Sequence, residues 1–295
     1  MRYCVRHETR YEYEDPVSIS HHILRLTPRK ADRTMISVTP HPPAFVHHFD
    51  YFGNKVTSFN LLEPHNCLVV VSTSELEVNA PPPADFSAST AWDILHPSDP
   101  EIAQFTFDSA RARSAPKLRD YAMESFPPDR PLLEGVRDLT HRIHEDFLFD
   151  TKATEVSTPV ETFFEKRRGV CQDFSHLQIA CLRSLGLPAR YVSGYLRTLP
   201  PPGRPRLVGA DASHAWCAAW SPEAGWVDFD PTNDCVPTDG HITVAWGRDY
   251  SDVSPIYGVL LGGASHTLDV GVDVMPIGPE PARTPGDADQ TGLRH

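Results

Sequence analysis

The stretch Arg167-Arg168-Gly169-Val170-Cys171-Gln172-Asp173 decides how this chain is read. Gly169 marks a turn. Phe174, Leu177, Cys181 and Leu185 then recur at helical spacing until Gly186-Leu187-Pro188, so Cys171 opens a mostly buried helix. A thiol at that position faces unpaired helix-terminal amides and the positive end of the helix dipole, which favour thiolate over thiol. Downstream, Ser213-His214-Ala215-Trp216 and Gly225-Trp226-Val227-Asp228-Phe229-Asp230-Pro231-Thr232 are short alternating segments rich in tryptophan. Cysteine, histidine and aspartate therefore arrive in an order that suits a nucleophile, a base and a residue that orients the base.

Hairpin geometry predicts which aspartate reaches the histidine. A turn of about five residues through Ser221 to Gly225 pairs Trp220 with Trp226 and sets Trp216 opposite Asp230. Side chains alternate along a strand, so His214, Trp216, Ala218 and Trp220 share a face with Trp226, Asp228 and Asp230. Asp230 becomes the diagonal neighbour of His214, with Asp228 one step further away. Cys217 points to the opposite face, which argues against a zinc site combining it with His214, and no paired-ligand spacing occurs elsewhere. Cys181, Cys217 and Cys235 read as packing residues, and the pairs His21-His22 and His47-His48 as surface residues. No metal and no cofactor is expected.

The 295 residues carry 27 Lys and Arg against 39 Asp and Glu, a net charge of −12, with the basic residues scattered. Nucleic acid is excluded as an expected partner on that ground. No apolar run reaches membrane-spanning length, and Met1 to His7 lacks the apolar core of a signal peptide. Six cysteines without a C-x-x-C pair suit free thiols in a reducing cytoplasm. The expected partner is a peptide or protein substrate, with the oligomeric state open.

Four regions follow from the pattern. Residues 1–79 read as a small all-β domain, a sandwich by expectation, with Cys4 to Tyr13 alternating, Leu68-Val69-Val70-Val71 as a buried run and Tyr51-Phe52-Gly53-Asn54-Lys55 as a hairpin tip. Residues 80–100, opening with Ala80-Pro81-Pro82-Pro83, read as a linker. Residues 101–275 read as the core. In it, Leu133, Val136, Leu139, Ile143 and Phe147 predict one helix, and Thr158-Pro159-Val160-Glu161 starts another that stops at Gly169. Residues 276–295 read as a disordered tail. The Pro-rich loop from Thr198 to Leu207 is expected to be mobile and close to the cleft.

Taken together, Gly169-Val170-Cys171-Gln172-Asp173, Ser213-His214-Ala215-Trp216 and Gly225 to Thr232 resemble the transglutaminase-like superfamily. More narrowly, with the β-rich amino-terminal region and Gly247-Arg248-Asp249-Tyr250-Ser251-Asp252-Val253, the chain resembles bacterial transglutaminase-like proteins that carry their own amino-terminal domain. The resemblance implies an α+β fold with a papain-like core, in which the helix bearing the cysteine packs on an antiparallel sheet. It also implies that Cys171 is the nucleophile, His214 the base and acid, and Asp230 the residue orienting His214. Gln172 and Trp216 are candidates for the oxyanion site or the cleft wall. Arylamine N-acetyltransferases use the same triad logic, but Arg167-Arg168-Gly169-Val170-Cys171 departs from their Arg-Gly-Gly-x-Cys pattern. One constellation serves peptide or amide hydrolysis, transfer to an amine and, stripped of catalysis, peptide binding. Hydrolysis is favoured because no sequence feature marks a dedicated amine site.

Overall fold

In the computed structural model, which describes residues 1–198 and 212–278, the alternation from Cys4 to Tyr13 extends into one long strand, β1 (Arg2–Leu24). Tyr3, Val5, His7, Thr9 and Tyr13 face inward while Arg2, Arg10 and Glu12 face solvent, the period of a half-buried strand. Strands β2 (Ala31–Thr39), β3 (Phe45–Phe49), β4 (Lys55–Leu61) and β5 (His65–Glu77) follow. β4 and then β5 run antiparallel along β1, with β3 and β2 on their far sides. Within β5, Leu68 and Val70 are core while Val69 and Val71 are half-buried, so the expected buried run is an alternating one.

The core begins with α1 (Pro100–Ala103), α2 (Pro116–Met123) and α3 (Leu132–Asp146). As the spacing predicts, α3 buries Leu133, Val136, Leu139 and Ile143, and Phe147 caps it. Then come β6 (Leu148–Phe149), α4 (Val160–Lys166), β7 (Arg168–Gly169) and α5 (Cys171–Ser184). α4 ends at the left-handed residue Arg167 (φ 57°), earlier than Gly169, and the side chain of Thr158 accepts from Glu155 N–H without capping α4. Gly169 serves close packing instead: a Cβ there would lie 2.5 Å from Asp173 Oδ2 and 2.8 Å from the Phe163 ring. Strands β8 (Ala189–Leu196), β9 (Ala212–Ser221), β10 (Gly225–Phe229) and β11 (His241–Gly247) make an antiparallel sheet in the order β10-β9-β8-β11. α5 packs on this sheet, every residue from Gln172 to Arg183 being buried.

After α6 (Tyr250–Val253), the chain returns to the amino-terminal domain. β12 (Ile256–Gly262) and β13 (His266–Pro276) pair antiparallel with β1, β12 along Val17–Leu24 and β13 along Tyr3–Tyr13. The reading that carries the catalytic core to residue 275 is corrected on this point, because residues 256–276 complete the first domain. Sequence order hides this, since the pairing spans more than 230 residues. Hydrogen bonds join its strands into one seven-stranded sheet through β1, whose first half carries β13, β5 and β2 and whose second half carries β12, β4 and β3; the halves pack on each other, as the expected sandwich would, over Leu24, Val38, Phe59, Leu61, Leu68 and Val70. At the other end of the first half, Tyr3, Val5, Leu76, Val272 and Val274 share an apolar core with α3, α5 and β8.

Two further contacts fasten the halves. Asn54 Nδ2 donates to the Trp246 carbonyl (2.8 Å) and Asn54 Oδ1 accepts from the Trp246 N–H (3.0 Å), so a side-chain amide pairs with the β11 edge as a strand would. The Arg29 guanidinium lies 3.4 Å from the centre of the Trp246 ring. Segment 80–100 is laid on the core, with Phe86 against Phe229 and the Ser89 hydroxyl accepting from the Leu133 N–H. His22 departs from expectation: it is buried and stacked on Phe59, whereas His21, His47 and His48 are exposed.

Candidate active site

Cys171 is the first residue of α5, where amides have no carbonyl partner within the helix. Asp173, two residues on, fixes that turn. Its Oδ2 accepts from the Val170 N–H (2.9 Å) and from the Thr154 hydroxyl (2.6 Å). Burial raises its carboxyl pKa, and these donors offset only part of that rise. Gln172 donates through Nε2 to the Val156 carbonyl (3.1 Å), which directs that donor at a loop. Ser175 donates to the Cys171 carbonyl (2.8 Å). His176 is fully enclosed and accepts from the Tyr250 N–H (3.2 Å), and burial pushes its pKa down to about 3, so it is neutral. At the far end Arg183 donates to the carbonyls of Phe105, Ala189 and Arg248. The helix is anchored along its length, so Cys171 stands on a rigid support that only half covers it.

The hairpin has the register counted from sequence: Trp220 pairs with Trp226, Ala218 with Asp228 and Cys217 with Phe229, which sets Asp230 level with Trp216. His214 Nε2 donates to Asp230 Oδ2 at 2.7 Å, both side chains being almost wholly buried. Cys171 lies close enough to His214 to help hold the imidazole pKa up. With Nε2 committed to Asp230, Nδ1 is the ring nitrogen left for the thiol. Asp228 is not in this chain of contacts; it lies beside the Arg190 guanidinium. Cys217 points into the α5 side, its thiol 3.6 Å from the Phe229 carbonyl, away from His214.

Asp230 is held from every side. Its Oδ1 accepts from the N–H groups of Thr232 (3.0 Å) and Asn233 (3.2 Å), an aspartate turn that also forms a bridge with Cys235. Its Oδ2 accepts from His214, from Asn233 Nδ2 (2.8 Å) and from His241 Nε2 (3.1 Å). Burial raises a carboxyl pKa, but here the His214 charge and these donors depress it far below the usual range. Burial alone would push His214 down, yet the adjoining carboxylate holds it up at about 10.

His241 is absent from the sequence reading. It opens β11 and lies opposite Leu196, while His214 lies opposite Gly194. A Cβ on Gly194 would collide with the Trp216 ring and the Ile242 carbonyl. The bare position therefore lets Trp216 cross β8 and support both imidazoles, with ring centres 6.1 Å from His214 and 5.3 Å from His241. Trp216 is wholly buried, so it is the floor of this cluster and not an exposed cleft wall. The one sequence signal was the turn Thr238-Asp239-Gly240 ending immediately before a histidine. His214, Asp230 and His241 are the one set of three metal-ligand side chains within 4.8 Å among the described residues, and hydrogen bonds through a single carboxylate oxygen account for all three. The expected cleft loop lies mostly in 199–211, outside the described residues, as does most of the expected tail, 279–295.

This arrangement supplies a thiol at a helix start, an imidazole near it and a buried carboxylate that stabilises the imidazolium, a set that can support attack on a carbonyl carbon. The family model of the transglutaminase-like superfamily matches residues 119–231, and that of the bacterial transglutaminase-like N-terminal region matches residues 3–77. An uncharacterized protein of Mycobacterium tuberculosis is 40% identical over 292 residues, covering 94% of this chain and 93% of its own. A protein-glutamine gamma-glutamyltransferase of Pseudomonas aeruginosa is 37% identical over 97 residues, 32% of this chain and 14% of that one. A solved structure of a candidate cysteine protease from Cytophaga hutchinsonii superposes with a TM-score of 0.71 at 23% identity, over 97% of this chain and 95% of that one, which shows a shared fold. Among the described residues no helix is long and apolar enough to cross a membrane.

Proposed function

The chain belongs to the transglutaminase-like superfamily, and on that premise we propose that it is a thiol-dependent acyl-transfer enzyme that hydrolyses peptide or amide bonds. The observation that carries this reading is the His214–Asp230 hydrogen bond, buried and set beside Cys171 at the head of α5. His214, already protonated beside Asp230, pairs with the Cys171 thiolate, and Sγ attacks the carboxamide carbon. The oxyanion forms at the start of α5, where the Cys171 N–H is free of helical bonding. His214 gives its proton to the departing amine, leaving a thioester. Water, deprotonated by the now neutral His214, then releases the acid and restores the thiolate–imidazolium pair. Asp230 keeps the imidazole in one tautomer and stabilises its charged form in both halves.

A peptide or protein is the substrate class in this proposal. The six free cysteines support a cytoplasmic location. A second reading, transfer of the acyl group to an amine, is favoured by the similarity to the Pseudomonas aeruginosa gamma-glutamyltransferase over 97 residues. Product partitioning on amide-containing peptides with a labelled primary amine separates the two. Release of acid and ammonia or peptide, lost in Cys171→Ala, is expected. Predominant Cys171-dependent incorporation of the amine would make the chain a transglutaminase in the strict sense. A peptide-binding module without catalysis predicts no preferential labelling of Cys171 by electrophiles.

A further inference from the structure

β12 differs from every other exposed strand in how its edge is managed. Sheet edges present unsatisfied N–H and C=O groups, and soluble proteins blunt them with charge, brevity or a covering group. Here β2 carries Asp32 and Arg33, β13 carries Asp269 and Asp273, and β10 is five residues long with Asp228 in it. β3 is equally short and carries His47 and His48, and the β11 edge is engaged by Asn54 at Trp246. β12 has none of these devices. No Asp, Glu, Lys or Arg occurs between Asp252 and Asp269. Among the described residues, β12 pairs with β1 alone.

The strand is also apolar on its outer face. Tyr257, Val259 and Leu261 occupy alternate positions and are 57%, 59% and 65% exposed, beside Ile19 of β1 at 38%. On the opposite face Gly258 meets the His22 ring, where a Cβ would lie 2.8 Å from Nδ1, so β12 is seated firmly against β1 and presents a fixed edge.

We infer that a second copy of this chain adds its own β12 antiparallel across this edge, so that one sheet runs through a two-fold dimer. The register follows from the sequence. Residues directly opposite in an antiparallel pair share a face, so the two-fold must pass through a residue position. Passing it through Val259 matches all seven residues, Ile256 with Gly262, Tyr257 with Leu261 and Val259 with its own symmetry mate. The three exposed side chains of each copy then meet on one face in a continuous apolar row. The strand is neutral in a chain of net charge −12, so this pairing sets no like charges against each other.

Sedimentation velocity of the full chain from about 1 to about 100 µM tests this, since mass action makes a dimer concentration-dependent. A dimer is expected, with Val259→Lys raising its dissociation constant about tenfold or more by opposing two lysines at the axis. Val46→Lys, on the same outer face but remote from the edge, should leave it unchanged. Val259→Cys should form a disulfide-linked dimer under mild oxidation, because directly opposed Cα atoms lie about 4.5 to 5.5 Å apart, within disulfide reach. A wild-type chain that stays monomeric across the range overturns the inference. So does a dimer indifferent to Val259→Lys and uncrosslinked in Val259→Cys. Circular dichroism of each variant distinguishes a lost contact from a lost fold.

Discussion

Replacing Asp230 by asparagine removes one charge and no volume, and the structure sets the size of its effect. Oδ1 is held by two backbone N–H groups, so the asparagine oxygen stays there and its NH2 occupies the place of Oδ2. Three donors meet at that place: His214 Nε2, His241 Nε2 and Asn233 Nδ2. An NH2 group cannot accept from them, so His214 must turn its lone pair toward residue 230 and carry its proton on Nδ1, facing the thiol it should deprotonate. The cost can be scaled from His214 itself, whose pKa stands at about 10 against the usual 6.5 of a histidine. At about 1.4 kcal/mol per pKa unit, this is on the order of 5 kcal/mol of support for the imidazolium. Burial opposes that rise, and Asp230 is the larger of the two groups that produce it, ahead of Cys171. We expect Asp230→Asn to slow carbamidomethylation of Cys171 at pH 7, and any amidase turnover, by about a thousandfold or more. Asp228→Asn leaves the His214 contacts intact and should cost less than about tenfold. Rates come from quenched-time-course mass spectrometry of the Cys171 peptide. Equal losses in the two variants, or a larger loss in Asp228→Asn, would refute the assignment of Asp230.

The remaining expectations probe separate parts of the structure. Cys171 should react first with iodoacetamide under native conditions, because burial raises the thiol pKa of Cys4, Cys181, Cys217 and Cys235; faster labelling of any of these four sinks the nucleophile assignment. His214 is protonated in the fold up to about pH 10 and unfolded only to about 6.5, so its contribution to stability is complete below pH 6.5 and disappears as pH rises through 10. Urea titrations should show that alkaline decline in wild type and a shallower one in Asp230→Asn. His22 has the opposite sign, with burial holding its pKa at about 4, so folding loses up to roughly 3 kcal/mol as pH falls from 6.5 to 4. His22→Phe should lessen the acid sensitivity, and an unchanged profile would show that His22 does not set it. Gly169→Ala should destabilise by about 1 to 3 kcal/mol and reduce Cys171 reactivity, since the added methyl displaces the Asp173 carboxylate that caps the nucleophile turn.

What the sequence revealed and what it concealed divide along the range of the interactions. The strand period and one turn count were enough to place Asp230 and not Asp228 beside His214, because a hairpin fixes its register within sixteen residues. The cysteine at the head of a helix was equally local, as was the helix through Leu133, Val136 and Leu139. His241 was not legible, since its approach to Asp230 depends on β8 lying between β9 and β11 and on Gly194 leaving room for Trp216. The return of residues 256–276 to β1 was still less accessible. Alternating apolar residues identify a strand but carry no address, so the residues of β13 read as part of the catalytic core although they pair with β1. The same omission bears on the site. A chain whose first strand is flanked by its last two closes the amino-terminal sheet only when both ends are present, and Tyr3, Val5, Val272 and Val274 then enter the core that supports α5 and β8. The rigidity of Cys171 and His214 therefore depends on strands remote from either in sequence, and a chain cut after α6 should lose thiol reactivity together with cooperative unfolding.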